Sequence, residues 1–128
     1  MSCEFIGLDH VQLAEWEGCE LAARKFYGED LGWPEIPKPE SLRKRGGVWF
    51  LCGAHQVHIG VQPDFAPAKK AHPAFEVRNL ERLRKRLNAL GIETTRDSSR
   101  EEENVQRIFV HDPFGNRLEF LEREGRER

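Results

Sequence analysis

The order of elements predicted over residues 5–62 returns over residues 72–122, across a linker at 63–71. Each half reads as strand, helix and three further strands, at a period of about 60 residues. Such a repeat limits the chain to two similar modules within one domain of 128 residues, because each half must bury the same pattern of apolar residues. Residues 5–14 alternate as a strand, with Leu8, His10, Gln12 and Ala14 on one face. Residues 18–31 carry an apolar helical side at Leu21, Ala22, Ala23 and Phe26, with Gly32 as the stop. Residues 33–46 form a loop with a short extended piece at Glu35 and Ile36, before a hairpin at 47–51 and 56–61. In the second half, residues 72–77 form the strand. Asn79 caps a helix running to Leu90, and Gly91 ends it. Strands at 92–95, 106–110 and 117–121 complete the module, with a charged loop at 97–104.

The closing hairpin carries the most specific run, from His111 to Phe120. Asp112-Pro113 starts a tight turn and Gly115-Asn116 supplies residues that tolerate positive φ. Beyond it, Leu118 and Phe120 face one way and Arg117, Glu119 and Leu121 the other. A carboxylate in so apolar a strand is exposed, paired or bound to a cation. The repeat favours the last. His10 aligns with His72, 62 residues on, and His58 aligns with Glu119, 61 residues on. Three imidazoles and a carboxylate suit a divalent Zn, Ni, Co, Fe or Mn ion with positions open to substrate, as in a catalytic centre.

With a net charge of -2 and 33% charged residues, nothing in the composition calls for nucleic acid. The basic runs Arg43-Lys44-Arg45 and 82–86 read as solvated faces. Cys3, Cys19 and Cys52 form no paired framework and point to a reducing compartment. No segment has the length of a membrane span, so a cytoplasmic protein is expected.

The runs Leu8-Asp9-His10-Val11, Val57-His58-Ile59 and Ala71-His72-Pro73, and the stretch from Asp112 to Glu119, resemble the vicinal oxygen chelate superfamily. That superfamily includes glyoxalase I, fosfomycin- and bleomycin-resistance proteins, extradiol dioxygenases and methylmalonyl-CoA epimerase. The resemblance covers essentially the whole chain. It implies an α+β fold of two βαβββ modules forming an open barrel-like curved sheet, usually within a homodimer. It also implies that His10, His72 and Glu119 bind metal and that Glu119 acts as base on a small-molecule substrate. His58 stands where bacterial glyoxalase I has a second glutamate. The other branches therefore stay open: a dioxygenase or fosfomycin-type thiol transferase using His10, His72 and Glu119, or a metal-free binding protein like those conferring bleomycin resistance.

Gln12 and Glu76 share strand faces with His10 and His72 and are candidates to orient those rings or line the cavity. Trp49, Phe50, Arg107 and Phe109 are candidates to line a substrate pocket, although aromatics in such strands more often fill core. Arg107 would then meet an anionic substrate. His55 and His111 are read as solvated. Trp16 and Trp33 are read as packing or dimer contacts.

Overall fold

The computed structural model describes residues 2–125. The chain divides into two compact units between Phe65 and Ala66. Each unit holds a mixed four-stranded sheet with its helix, so the α+β class expected from the repeat holds.

In the first unit, β1 (His10–Glu15) runs parallel to β4 (His55–Val61). That strand pairs antiparallel with β3 (Val48–Cys52), and β3 with the short β2 (Glu35–Ile36). The strand expected over 5–14 starts only at His10. His10 pairs with Gln56, so Leu8 would have to pair with Ala54, inside the turn between β3 and β4. The ladder runs out there, and Phe5, Ile6 and Leu8 stay exposed. Helix α1 begins at Glu20–Ala23 and widens into a π-helical stretch at Arg24–Asp30, where the Leu31 N–H donates to the Phe26 carbonyl at 2.9 Å. The wider turn lets the consecutive Phe26 and Tyr27 both face inward, where Tyr27 packs on Trp33 and Phe50. A 3-10 turn at Glu40–Arg45 occupies part of the expected loop before β3.

The second unit repeats this order with β5 (Ala74–Glu76), α2 (Leu80–Ala89), β6 (Thr95–Asp97), β7 (Val105–His111) and β8 (Arg117–Arg123). Again the first and last strands pair parallel, with sheet order β5-β8-β7-β6. A shorter 3-10 turn, Glu101–Glu103, stands where Glu40–Arg45 does in the first unit. Asn79 does not cap α2 with its side chain. The Glu122 carboxylate does so, accepting from the Asn79 and Leu80 N–H groups at 2.9 and 3.0 Å. In the turn before β8, Asp112 Oδ1 accepts from the Phe114 and Asn116 N–H groups, and Gly115 adopts φ +91°. Leu118 and Phe120 are buried, as are Glu119 and Leu121 on the other face, so β8 is covered on both sides. Among the described residues no helix is long and apolar enough to cross a membrane.

Candidate metal-ligating pairs

In the first unit the β1, β4 and β3 register sets Gln12, His58 and Trp49 side by side across the sheet. His10 lies two residues before Gln12, hence on the same face. The His58 ring is buried and sandwiched. Trp49 stacks on one side with centroids 3.7 Å apart, and the His10 ring lies 4.1 Å away. Burial lowers the His58 pKa, and the neighbouring His10 and Lys38 push the same way against the opposing pull of Asp9. The ring is therefore held neutral. With its Nε2–H donated to Gln56 Oε1 at 2.9 Å, its Nδ1 keeps a lone pair. His10 places Nδ1 2.9 Å from the Asp9 carboxylate, the carboxylate–imidazole arrangement that directs the other nitrogen outward.

In the second unit the same register places Ala74, Glu119 and Phe109 side by side, with His72 two residues before Ala74. The equivalences between His10 and His72, and between His58 and Glu119, thus recur in each unit's own strand pairing. Glu119 is buried, and its Oε1 lies 2.9 Å from His72 Nε2. The other His72 nitrogen, Nδ1, lies 2.7 Å from the Lys70 carbonyl. Phe109 meets the His72 ring edge-on at 5.3 Å.

Arg107 alters the expected picture. Its Nη1 donates to the same Glu119 Oε1 at 3.3 Å. Its Nη2 donates to Ser99 Oγ at 2.6 Å and lies 3.4 Å from Asp97. The guanidinium is thus engaged by two carboxylates of its own chain. Arg107 and Arg117 also stand over the Phe109 ring, 5.2 and 4.1 Å from its centroid.

The remaining candidates divide. Gln12 lies on the His58 face, its carboxamide over Gly60 and its Nε2 donating to the Leu13 carbonyl. Trp49 covers His58, as described. Phe50 is fully buried against Tyr27, which makes it core and corrects its reading as a pocket residue. Glu76 is exposed and pairs with Arg123 at 3.5 Å.

The two pairs fit a divalent ion by donor type: two imidazoles in one, imidazole and buried carboxylate in the other. Among the described residues no three His, Cys, Asp or Glu side chains form a group able to hold a metal ion. Two contacts were absent from the sequence reading. Gln56, two residues before His58 and therefore on its face, was readable from the strand period. The approach of Arg107 to Glu119 depends on the β7–β8 register and had no signal of its own.

Residues 20–121 match the profile of the glyoxalase-like domain. A crystallised protein assigned to the glyoxalase family from Bacillus anthracis is 52% identical over 97% of this chain and 100% of that one, with a TM-score of 0.93. The fosfomycin resistance protein FosX from Listeria monocytogenes, solved with Mn(II) and a dihydroxypropylphosphonic acid, is 20% identical over 95% of each chain at a TM-score of 0.77. Lactoylglutathione lyase from Agrobacterium tumefaciens is 20% identical over 91% of this chain and 92% of that one, at 0.70. These last two show a shared fold. No curated protein is similar enough in sequence to count as a match.

Proposed function

Because the chain belongs to the glyoxalase-like family of the vicinal oxygen chelate superfamily, we propose that it is a divalent-metal-dependent enzyme of the glyoxalase type. Its substrate is a small molecule bound through two adjacent oxygens, with Glu119 as metal ligand and base. The observation that carries this reading is the His72–Glu119 pair. With Nδ1 turned to the Lys70 carbonyl, Nε2 and Oε1 face each other as two acceptors 2.9 Å apart and call for a shared proton or metal ion.

A divalent ion held by His10, His58, His72 and Glu119 would supply Lewis acidity, polarising the substrate oxygens. The protein's own part is orientation and proton transfer. The Asp9 and Lys70 contacts fix two imidazoles. Burial excludes water from Glu119, which takes a carbon-bound proton onto a carboxylate oxygen. Arg107 Nη1 donates to that carboxylate and holds its orientation.

One observation supports a second reading. His58 is covered on both ring faces and donates to Gln56, which suits a cavity wall rather than a ligand. The set His10, His72 and Glu119 would then serve a fosfomycin-type thiol transferase or an extradiol-type dioxygenase. Metal analysis of protein purified without chelator or added metal tests both. We expect about one ion per site, lost in Glu119→Ala, and hemithioacetal turnover in the Ni, Co or Zn form. Bound metal without that turnover, but with fosfomycin or catechol turnover, selects the second reading. No metal as purified and none taken up leaves a metal-free binding protein.

The proposal extends to a cytoplasmic homodimer. The free thiols of Cys3, Cys19 and Cys52 are in keeping with a reducing compartment, and light scattering tests the dimer.

A further inference from the structure

The first unit contains a second feature that its histidine pair does not use. A cavity of about 370 Å³ opens on the sheet face that carries His58 and Trp49. Its walls include Gln12, Trp49 and Gln62 from the sheet side, and Lys38 and Arg45 from the segment joining β2 to β3. Both charged residues in this lining are cations.

That segment is braced rather than loose. Pro37 and Pro39 flank Lys38, whose ammonium donates to the Gly46 carbonyl, and Arg43 Nε donates to the Lys38 carbonyl at 3.4 Å. Gly47 closes the segment at φ +91°, where any Cβ would lie 2.1 Å from the Ile59 carbonyl oxygen. The brace therefore needs glycine at this position. An ammonium has three protons, so the Gly46 bond leaves two of them for another acceptor. Glu20 accepts from the Gly47 N–H at 3.3 Å and does not line the cavity. The floor is polar as well: the Gln12 carboxamide lies over Gly60, where only a missing side chain leaves room for it.

The repeat shows that this charge is not demanded by the fold. The equivalent turn of the second unit is Glu101–Glu103, all carboxylates, whereas Glu40–Arg45 ends in Arg43-Lys44-Arg45. Part of the basic run read from sequence as a solvated face is thus turned to a cavity wall.

We propose that this cavity is an oxyanion-binding subsite, in which Lys38 and Arg45, with the Gln12 and Gln62 amides, hold a carboxylate or phosphate group. A braced cationic wall over amide donors favours a small anion through charge-assisted hydrogen bonds. Because the cavity lies on the His58 face, the subsite gives the substrate of the proposed enzyme a negatively charged end. To that extent the inference rests on the enzyme reading.

The test uses the metal-free full chain, with inorganic phosphate and acetate titrated separately at constant ionic strength and followed by NMR amide and indole shifts. Saturable shifts confined to Lys38, Gly46, Gly47 and the Trp49 indole are expected. A double variant, Lys38→Gln with Arg45→Gln, should weaken binding roughly tenfold or more. The response to phosphate relative to acetate identifies which oxyanion the subsite takes. Shifts scattered over the surface, or a double variant that binds like the parent, overturn the subsite. Metal binding is not involved, so failure here leaves the enzyme reading standing. Failure of metal uptake, with phosphate still bound, sinks the enzyme reading alone.

Discussion

Oε1 of Glu119 is shared by His72, 2.9 Å away, and Arg107, 3.3 Å away. One buried carboxylate oxygen thus serves both an imidazole and a guanidinium. The side chains are 4% and 18% exposed for Glu119 and Arg107, so removing either leaves the other charge poorly solvated. Glu119→Leu should destabilise the metal-free protein by about 2 kcal/mol. Adding Arg107→Met should recover part of that loss, because no charge is then stranded. Urea unfolding of the two single variants and the double variant measures the coupling; strictly additive effects would count against the pair.

The same sharing makes Arg107 a competitor for any metal ion at Glu119. Arg107→Ala should raise cobalt affinity roughly tenfold, the worth of one charge-assisted hydrogen bond given up. Competition against a metallochromic dye reads this without reference to turnover. A fall in affinity would instead show that the guanidinium holds Glu119 in its ligating position.

The pKa of His58 is lowered by burial, with His10 and Lys38 adding to the shift, so between its folded value and the ordinary value of about 6.5 the unfolded chain binds more protons. Stability of the metal-free protein must then rise with pH through that window. Acidification below about 6.5 should cost stability until the ring is protonated in both states. His58→Phe should flatten that part of a urea-derived stability profile. An unchanged profile would mean that the ring is not the group responsible.

Glu122 is the helix cap that the sequence reading assigned to Asn79. Glu122→Ala should cost about 1 kcal/mol, as the loss of a capping acceptor typically does. A lower melting temperature is the readout, with α2 amides exchanging faster. Asn79→Ala removes no side-chain cap bond. Its cost should come instead from the left-handed backbone at φ 65°, where alanine is strained.

Strand pairing explains which features could be read in advance. The repeat, the turn at Asp112 and the equivalence of His10 with His72 follow from short-range patterns: a period of two, turn residues, and equal spacing. The contacts that decide the chemistry are different. Arg107 reaches Glu119, and Glu122 reaches the start of α2, only because β8 is fixed against particular neighbours. No local pattern encodes that register. The N-terminal residues show the converse. Phe5, Ile6 and Leu8 alternate like a strand, but the β4 ladder ends before they can join it. The π-helical stretch in α1 was likewise hidden, since adjacent buried aromatics fit more than one helical turn size.

The two histidine pairs are not equally durable. His10 sits at the end of a strand with six register pairs to β4, whereas His72 lies just before β5, which meets β8 through only three. Residues 72 and 119 are 47 apart, and closing a loop of that length costs about 3 kcal/mol of chain entropy. This three-residue edge seam should open more readily than the six-pair β1–β4 seam of the first unit. Its opening would carry His72 away from Glu119 while the β7–β8 hairpin, closed by a short turn, stays intact. Hydrogen exchange at the β5 amides would then report the integrity of the histidine–glutamate pair ahead of any global unfolding.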